Sequence, residues 1–266
     1  MQMEDHLWSL LGELRRFRSP KRIRAYCDGK LILDSTSALL IWEPKRVTPV
    51  YAIPSAQLQA GLTDAGPMLA DEDLARYARR PVYDPSVPFD LHTTPGRRVS
   101  IQPDGGHAIQ GFVLADPELD ELVLIDFDGP DVWFEESEEV GAHPRDPFHR
   151  IDALRSDRTV SISMDGIPIA RSDRAVFLFE TNLPTRYYLP PEDVLVPLTA
   201  SATRTRCAYK GEASYFSAVV DGTTHGDLVW TYPDPAPEAA GIAGLLAFYP
   251  ELLELHVGGE AVPSRR

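Results

Sequence analysis

The sequence predicts a mainly β protein built as two diverged copies of one compact domain. Three observations carry this: a gapless internal repeat, apolar-polar alternation around Asp-Gly turns, and short apolar runs at matching places in each half. At 266 residues and 43% hydrophobic, the chain is long enough for two cores.

When residues 19–54 are laid over 156–191, ten positions are identical. They are Ser19, Asp28, Gly29, Ile32, Ser35, Ala38, Glu43, Thr48, Tyr51 and Pro54 against Ser156, Asp165, Gly166, Ile169, Ser172, Ala175, Glu180, Thr185, Tyr188 and Pro191. Unrelated segments of this length share roughly two. Unmatched pairs such as Leu40 with Phe177 and Trp42 with Phe179 keep their apolar character, as one fold packed twice requires.

The elements follow in order. Residues 1–14 carry Leu7, Leu10, Leu11 and Leu14 at helical spacing and read as a short helix in an N-terminal extension, 1–18. They do not resemble a secretion signal. The basic cluster from Arg15 to Arg24 reads as a solvated lead into the first domain, 19–141. There, Asp28-Gly29 suits a hairpin turn, because glycine accepts positive φ and aspartate bonds its own backbone. Residues 38–42 form a strand covered on both sides, 69–80 a short helix, and 99–101, 108–114 and 122–127 further strands. Pro144 and Pro147 mark a connector, 142–155, in which Arg145 or Arg150 pairs with Asp146 or Asp152.

The second domain, 156–258, repeats the pattern. Val160, Ile162 and Met164 alternate with polar residues, Asp165-Gly166 turns the chain, and 167–170 and 175–179 return as strands. Residues 204–209, 213–220 and 228–232 continue the β pattern with a turn at Asp221-Gly222. Pro237 opens a helix running toward Pro250, and a short tail, 259–266, closes the chain.

The net charge of -14 argues against a phosphate-backbone surface, so no nucleic-acid partner is expected. No apolar run reaches the roughly 20 residues that span a bilayer, so no membrane partner is expected. Two distant cysteines, Cys27 and Cys207, fit a reducing, cytoplasmic setting better than a disulfide framework.

The densest candidate site lies in the second domain. Glu180, at the end of an apolar strand, is an acid, base or hydrogen-bond acceptor; Arg186 offers a planar fork for an anion; Tyr188 is a wall and a donor. Lys210 is a further anion contact, Cys207 the least secure catalytic candidate, and Tyr215 and Trp230 are core or pocket walls. The alternative for Glu180 and Arg186 is an internal pair fastening the turn. The first copy has Pro49 where the ungapped overlay puts Arg186, so the copies cannot share an arginine mechanism.

Asp126 and Asp128 share a face if their strand reaches 128, which would help hold a divalent cation. His143 and His149 supply two ligands at most, and His92, His107 and His225 read as isolated. No metal-ligand set and no cofactor is assigned.

The run from Asp165-Gly166 to Ser172, then Phe179-Glu180-Thr181-Asn182-Leu183-Pro184-Thr185-Arg186-Tyr187-Tyr188-Leu189-Pro190, resembles the bacterial domain-of-unknown-function 427 family. Thr205-Arg206-Cys207-Ala208-Tyr209-Lys210-Gly211, with Tyr215, Trp230 and Phe248-Tyr249, extends the resemblance through the second domain, and a weaker copy covers residues 19–139. It implies a compact β domain of Mss4-like or β-tent type. The paired cysteine knuckles of zinc-bearing relatives of that architecture are absent. The expected function is a polar and aromatic pocket for an anionic small molecule in the second domain. Two alternatives stand: a metal-dependent nucleotide or phosphoryl-transfer enzyme, and a non-catalytic structural or protein-interaction module.

Overall fold

The computed structural model describes residues 8–66 and 72–263. The chain divides into two units, 1–146 and 147–266.

The first unit contains β1 (Arg15–Arg18), β2 (Ile23–Cys27), β3 (Lys30–Ser35), β4 (Leu39–Trp42), β5 (Val50–Pro54), β6 (Gly61–Asp64), α1 (Glu72–Ala78), β7 (Gly96–Gln102), β8 (Ile109–Leu114), β9 (Leu122–Ile125), β10 (Val132–Glu135) and β11 (Glu138–Val140). The second contains β12 (Ile151–Arg155), β13 (Val160–Met164), β14 (Ile167–Ser172), β15 (Val176–Glu180), β16 (Arg186–Leu189), β17 (Leu198–Cys207), β18 (Gly211–Val220), β19 (Thr223–Thr231), β20 (Leu246–Phe248), β21 (Glu254–Val257) and β22 (Glu260–Ala261).

The strand orders coincide. A seven-stranded sheet runs β1-β4-β5-β9-β8-β7-β6 in the first unit and β12-β15-β16-β20-β19-β18-β17 in the second. A four-stranded sheet runs β11-β10-β2-β3 and β22-β21-β13-β14. Even a β-bulge recurs at the matching place, after Ala25 in β2 and after Ile162 in β13. The strands β1 and β12, which sequence reading left in the extension and the connector, are edge strands of these sheets.

Register holds through β4 and β15 and then slips. Leu40 pairs with Tyr51, but Phe177 pairs with Tyr187, not Tyr188. The β15–β16 loop is thus one residue shorter than the β4–β5 loop, and Ala52 occupies the place of Tyr188, Val50 that of Arg186. Beyond Glu43 and Glu180 the two copies therefore correspond with a one-residue gap, not without one as the sequence overlay expects. Because side chains alternate, this slip turns every β16 side chain to the opposite face from the overlay's expectation. Tyr51 enters the core between the sheets with Ile23 and Trp133 and donates to Glu135 Oε1 at 2.8 Å. Tyr188 instead packs on the outer face of the large sheet with Trp230.

Each large sheet is covered on both faces. Its inner face meets the four-stranded sheet, in the second unit through Val160, Ile162, Phe177, Leu189 and Val229. Its outer face is covered there by a 3₁₀ turn, Pro237–Ile242, through Ala239 and Ile242. Sequence reading extended that turn as a helix to Pro250. Gly244 at φ 69° breaks it, and residues 246–248 join the sheet as β20. Of the expected N-terminal helix, residues 1–7 lie outside the described part, Trp8 and Ser9 are helical and Leu10–Gly12 form a 3₁₀ turn; of the helix expected over 69–80, α1 ends at Ala78 and 69–71 are not described. Among the described residues no helix is long and apolar enough to cross a membrane.

Candidate functional site

Glu180 ends β15 at the outer face of the second unit's large sheet. Its carboxylate accepts from Lys210 Nζ at 2.5 Å through Oε2 and from His149 Nε2 at 3.0 Å through Oε1. The three side chains are largely, not fully, withdrawn from solvent, at 6%, 11% and 16% exposure. The His149 ring stacks on Tyr209, with centroids 4.1 Å apart. Lys210 reaches Glu180 because Ala208–Lys210 form the turn between β17 and β18, so strand alternation does not govern them.

Burial pushes the Glu180 carboxyl up, but the hydrogen bond from His149 and the charge and hydrogen bond of Lys210 outweigh it and hold the group below the usual carboxylate range. Its stabilising contribution is therefore complete above the ordinary carboxylate pKa and lost as pH falls through the lower folded value. Glu180→Gln is expected to flatten part of the acid limb of a urea-midpoint profile; an unchanged limb would show that Glu180 titrates as it does unfolded.

An aromatic wall stands beside the cluster. Trp230 Nε1 donates to the Tyr188 hydroxyl at 3.2 Å, Tyr249 packs 4.6 Å from Trp230, and the Tyr215 hydroxyl bonds Thr205 Oγ1 at 2.9 Å. Burial raises the pKa of Tyr188 and Tyr232, and burial with Tyr215 alongside pushes Tyr249 up to about 12, so these phenols stay un-ionised. Arg186 lies over the Trp230 ring at 5.7 Å and grips Glu251 with two nitrogens at 3.0 and 3.3 Å. The internal Glu180–Arg186 pair considered from sequence is thus replaced by two separate pairs, Glu180–Lys210 and Arg186–Glu251. Cys207 packs at the margin of the same cluster with a free thiol. Lys210 is committed to Glu180, which removes it as the cation that would activate this thiol.

Sequence reading placed His149 in the connector and missed its role. Its distance in sequence from Glu180 hid the contact, and the expected Arg150–Asp152 pair, at 2.9 Å, does form beside it. A cavity of about 730 Å³ in this unit is lined by Met164, Asp165, His225, Leu228 and Glu254 among others, and meets the cluster at Glu251.

The matching carboxylate of the first unit has different partners. Glu43 accepts from His92 Nδ1 at 2.7 Å and from the backbone N–H groups of Thr93 and Thr94 at 2.9 and 3.0 Å. Burial pushes it up, and these donors with Arg46 bring it below the usual range. His92 stacks on Phe112 at 3.5 Å, so it is not isolated. Nor is His107, whose Nδ1 lies 3.5 Å from Cys27 Sγ. Cys27, Asp28 and His107 bring a thiol, a carboxylate and an imidazole within 4.8 Å of one another, a donor set able to hold a metal ion. Asp126 and Asp128 do not form the expected pair: β9 ends at Ile125, and Asp126 Oδ1 accepts the N–H of Asp128 in a turn.

Residues 152–259 match the model of a domain-of-unknown-function family, DUF427, short name NTP_transf_9. No curated protein matches the chain.

Proposed function

We propose that the second unit binds a small anionic metabolite at the outer face of its large sheet. The supporting observation is the convergence of Lys210 and His149 on buried Glu180, next to an aromatic wall over which Arg186 is held. Titratable groups clustered under such burial mark functional sites more often than ordinary surface. Arg186 is the first anion contact, because its partner Glu251 is partly exposed and an incoming carboxylate or phosphate can replace it with the same two-pronged geometry. Lys210 neutralises Glu180 beneath the site so that its carboxylate does not repel the anion, Glu180 in turn fixes Lys210 and His149, and Tyr188, Tyr215 and Trp230 shape the wall.

The same reading takes the first unit as a diverged copy of the second, in a Mss4-like or β-tent arrangement, supported by the shared strand order. It places the protein in the cytoplasm, in keeping with two free cysteines carried by different units.

Native mass spectrometry of gently purified protein tests the site. The wild type is expected to retain an anionic small molecule, Arg186→Gln to lose it, and Glu251→Gln to hold it more tightly. A sealed Glu180–Lys210 pair also suits a purely structural module. Recovery of wild type with nothing bound, or binding indifferent to Arg186→Gln, would favour that reading over ours.

A further inference from the structure

We infer that Cys27, Asp28 and His107 of the first unit form a binding site for a zinc-class divalent cation, with three protein ligands and one open position. β2 ends at Cys27, and the Asp28-Gly29 turn, with φ of 50° and 72°, sends the chain back as β3. His107 arrives from the loop between β7 and β8. That loop closes over the turn at Gly106, where a Cβ would lie 3.1 Å from Cys27 Sγ and 3.3 Å from Asp28 Oδ2.

The separations suit one ion. Sγ to Nδ1 is 3.5 Å, Sγ to Oδ2 3.9 Å and Nδ1 to Oδ2 3.9 Å. Bond lengths of about 2.0–2.3 Å around tetrahedral zinc put neighbouring ligand atoms roughly 3.3–3.6 Å apart. Asp28 and His107 are about half exposed, at 57% and 53%, so the remaining gap can close by small side-chain rotations without repacking the core. The imidazole is also set for ligation. Its Nε2 bonds the Gly129 carbonyl at 2.7 Å as the donor, which leaves the Nδ1 lone pair facing the thiol, the outer-shell arrangement that orients metal-bound histidines. A second carboxylate, Asp131, accepts the Asp28 N–H and adds negative charge. Thiolate, imidazole and carboxylate together favour zinc or its neighbours over calcium or magnesium.

The second unit provides an internal comparison. Its equivalent turn carries Met164-Asp165, with His225 lining the same cavity. A thioether stands where the first unit has a thiol. Among the described residues, the ligand-bearing group of three occurs in the first unit alone.

The alternative is a plain thiol–imidazole hydrogen bond, and Co²⁺ separates the two. Metal-free full-length protein is expected to bind one equivalent of Co²⁺ with a thiolate-to-cobalt charge-transfer absorption that Zn²⁺ abolishes. Cys207→Ser keeps the band, Cys27→Ser loses it, and His107→Gln weakens binding more than about tenfold. Circular dichroism confirms that each variant is folded; because His107 is half exposed, its variant carries the test if Cys27→Ser unfolds. No saturable band in folded protein, a band surviving in Cys27→Ser, or affinity unchanged by His107→Gln overturns the site.

Discussion

Lys210→Met is expected to destabilise the protein by ~3–5 kcal/mol in urea unfolding monitored at tryptophan, the cost of leaving a buried carboxylate without its cation. The methionine keeps the length and apolar stem of the side chain, so lost packing contributes little. Adding Glu180→Gln to Lys210→Met should recover most of the loss, since the remaining amide needs no counter-charge. His149 limits the recovery, because its Nε2 then faces a weaker acceptor. A single-mutant loss below about 1 kcal/mol would mean that water screens this pair as it does surface pairs.

Arg46→Met is expected to cost about 3 kcal/mol or more. The Arg46 guanidinium is buried and donates to the carbonyls of Pro88, Phe89 and Leu91 at 2.8, 3.2 and 2.9 Å. Burial lowers its pKa, with Glu43 opposing through its charge. Its loss leaves several carbonyls without a donor at once. Those carbonyls belong to the segment that delivers His92 to Glu43, so amide exchange at Thr93 and Thr94 should accelerate with the loss of stability. Arg46→Lys should not rescue, because one ammonium cannot span carbonyls that a planar fork reaches together. Exchange at Thr93 and Thr94 that stays at the wild-type rate would detach this clamp from the Glu43–His92 contact.

Much of the fold was legible because burial leaves a periodic record. Alternation in β13, the Asp-Gly turns and the unbroken apolar run of β15 each reflect a local constraint that sequence carries directly. The register of β16 was not legible. The doublets Tyr187-Tyr188 and Pro190-Pro191 let Tyr51 and Pro54 find an identical partner in either frame, and only strand pairing distinguishes the frames. The site was legible in part. Glu180, Lys210, Tyr188 and Trp230 lie close together in space, but the assignment of partners did not follow from spacing: Arg186 turned to Glu251, 65 positions away, and His149 came from before β12. Helix reading failed after Pro237 because alanine and leucine spacing there serves a 3₁₀ turn and then a strand, with glycine between them.

The shorter loop before β16 leaves the strand after it in place. Tyr187 points inward as Tyr51 does, so trimming the turn did not reverse what the strand presents to either side. The phenol that meets an indole on the second half's outer side stands where the first half has the methyl group of Ala52. A duplicated scaffold can thus acquire a different exterior by exchanging one outward residue, a change its interior never registers.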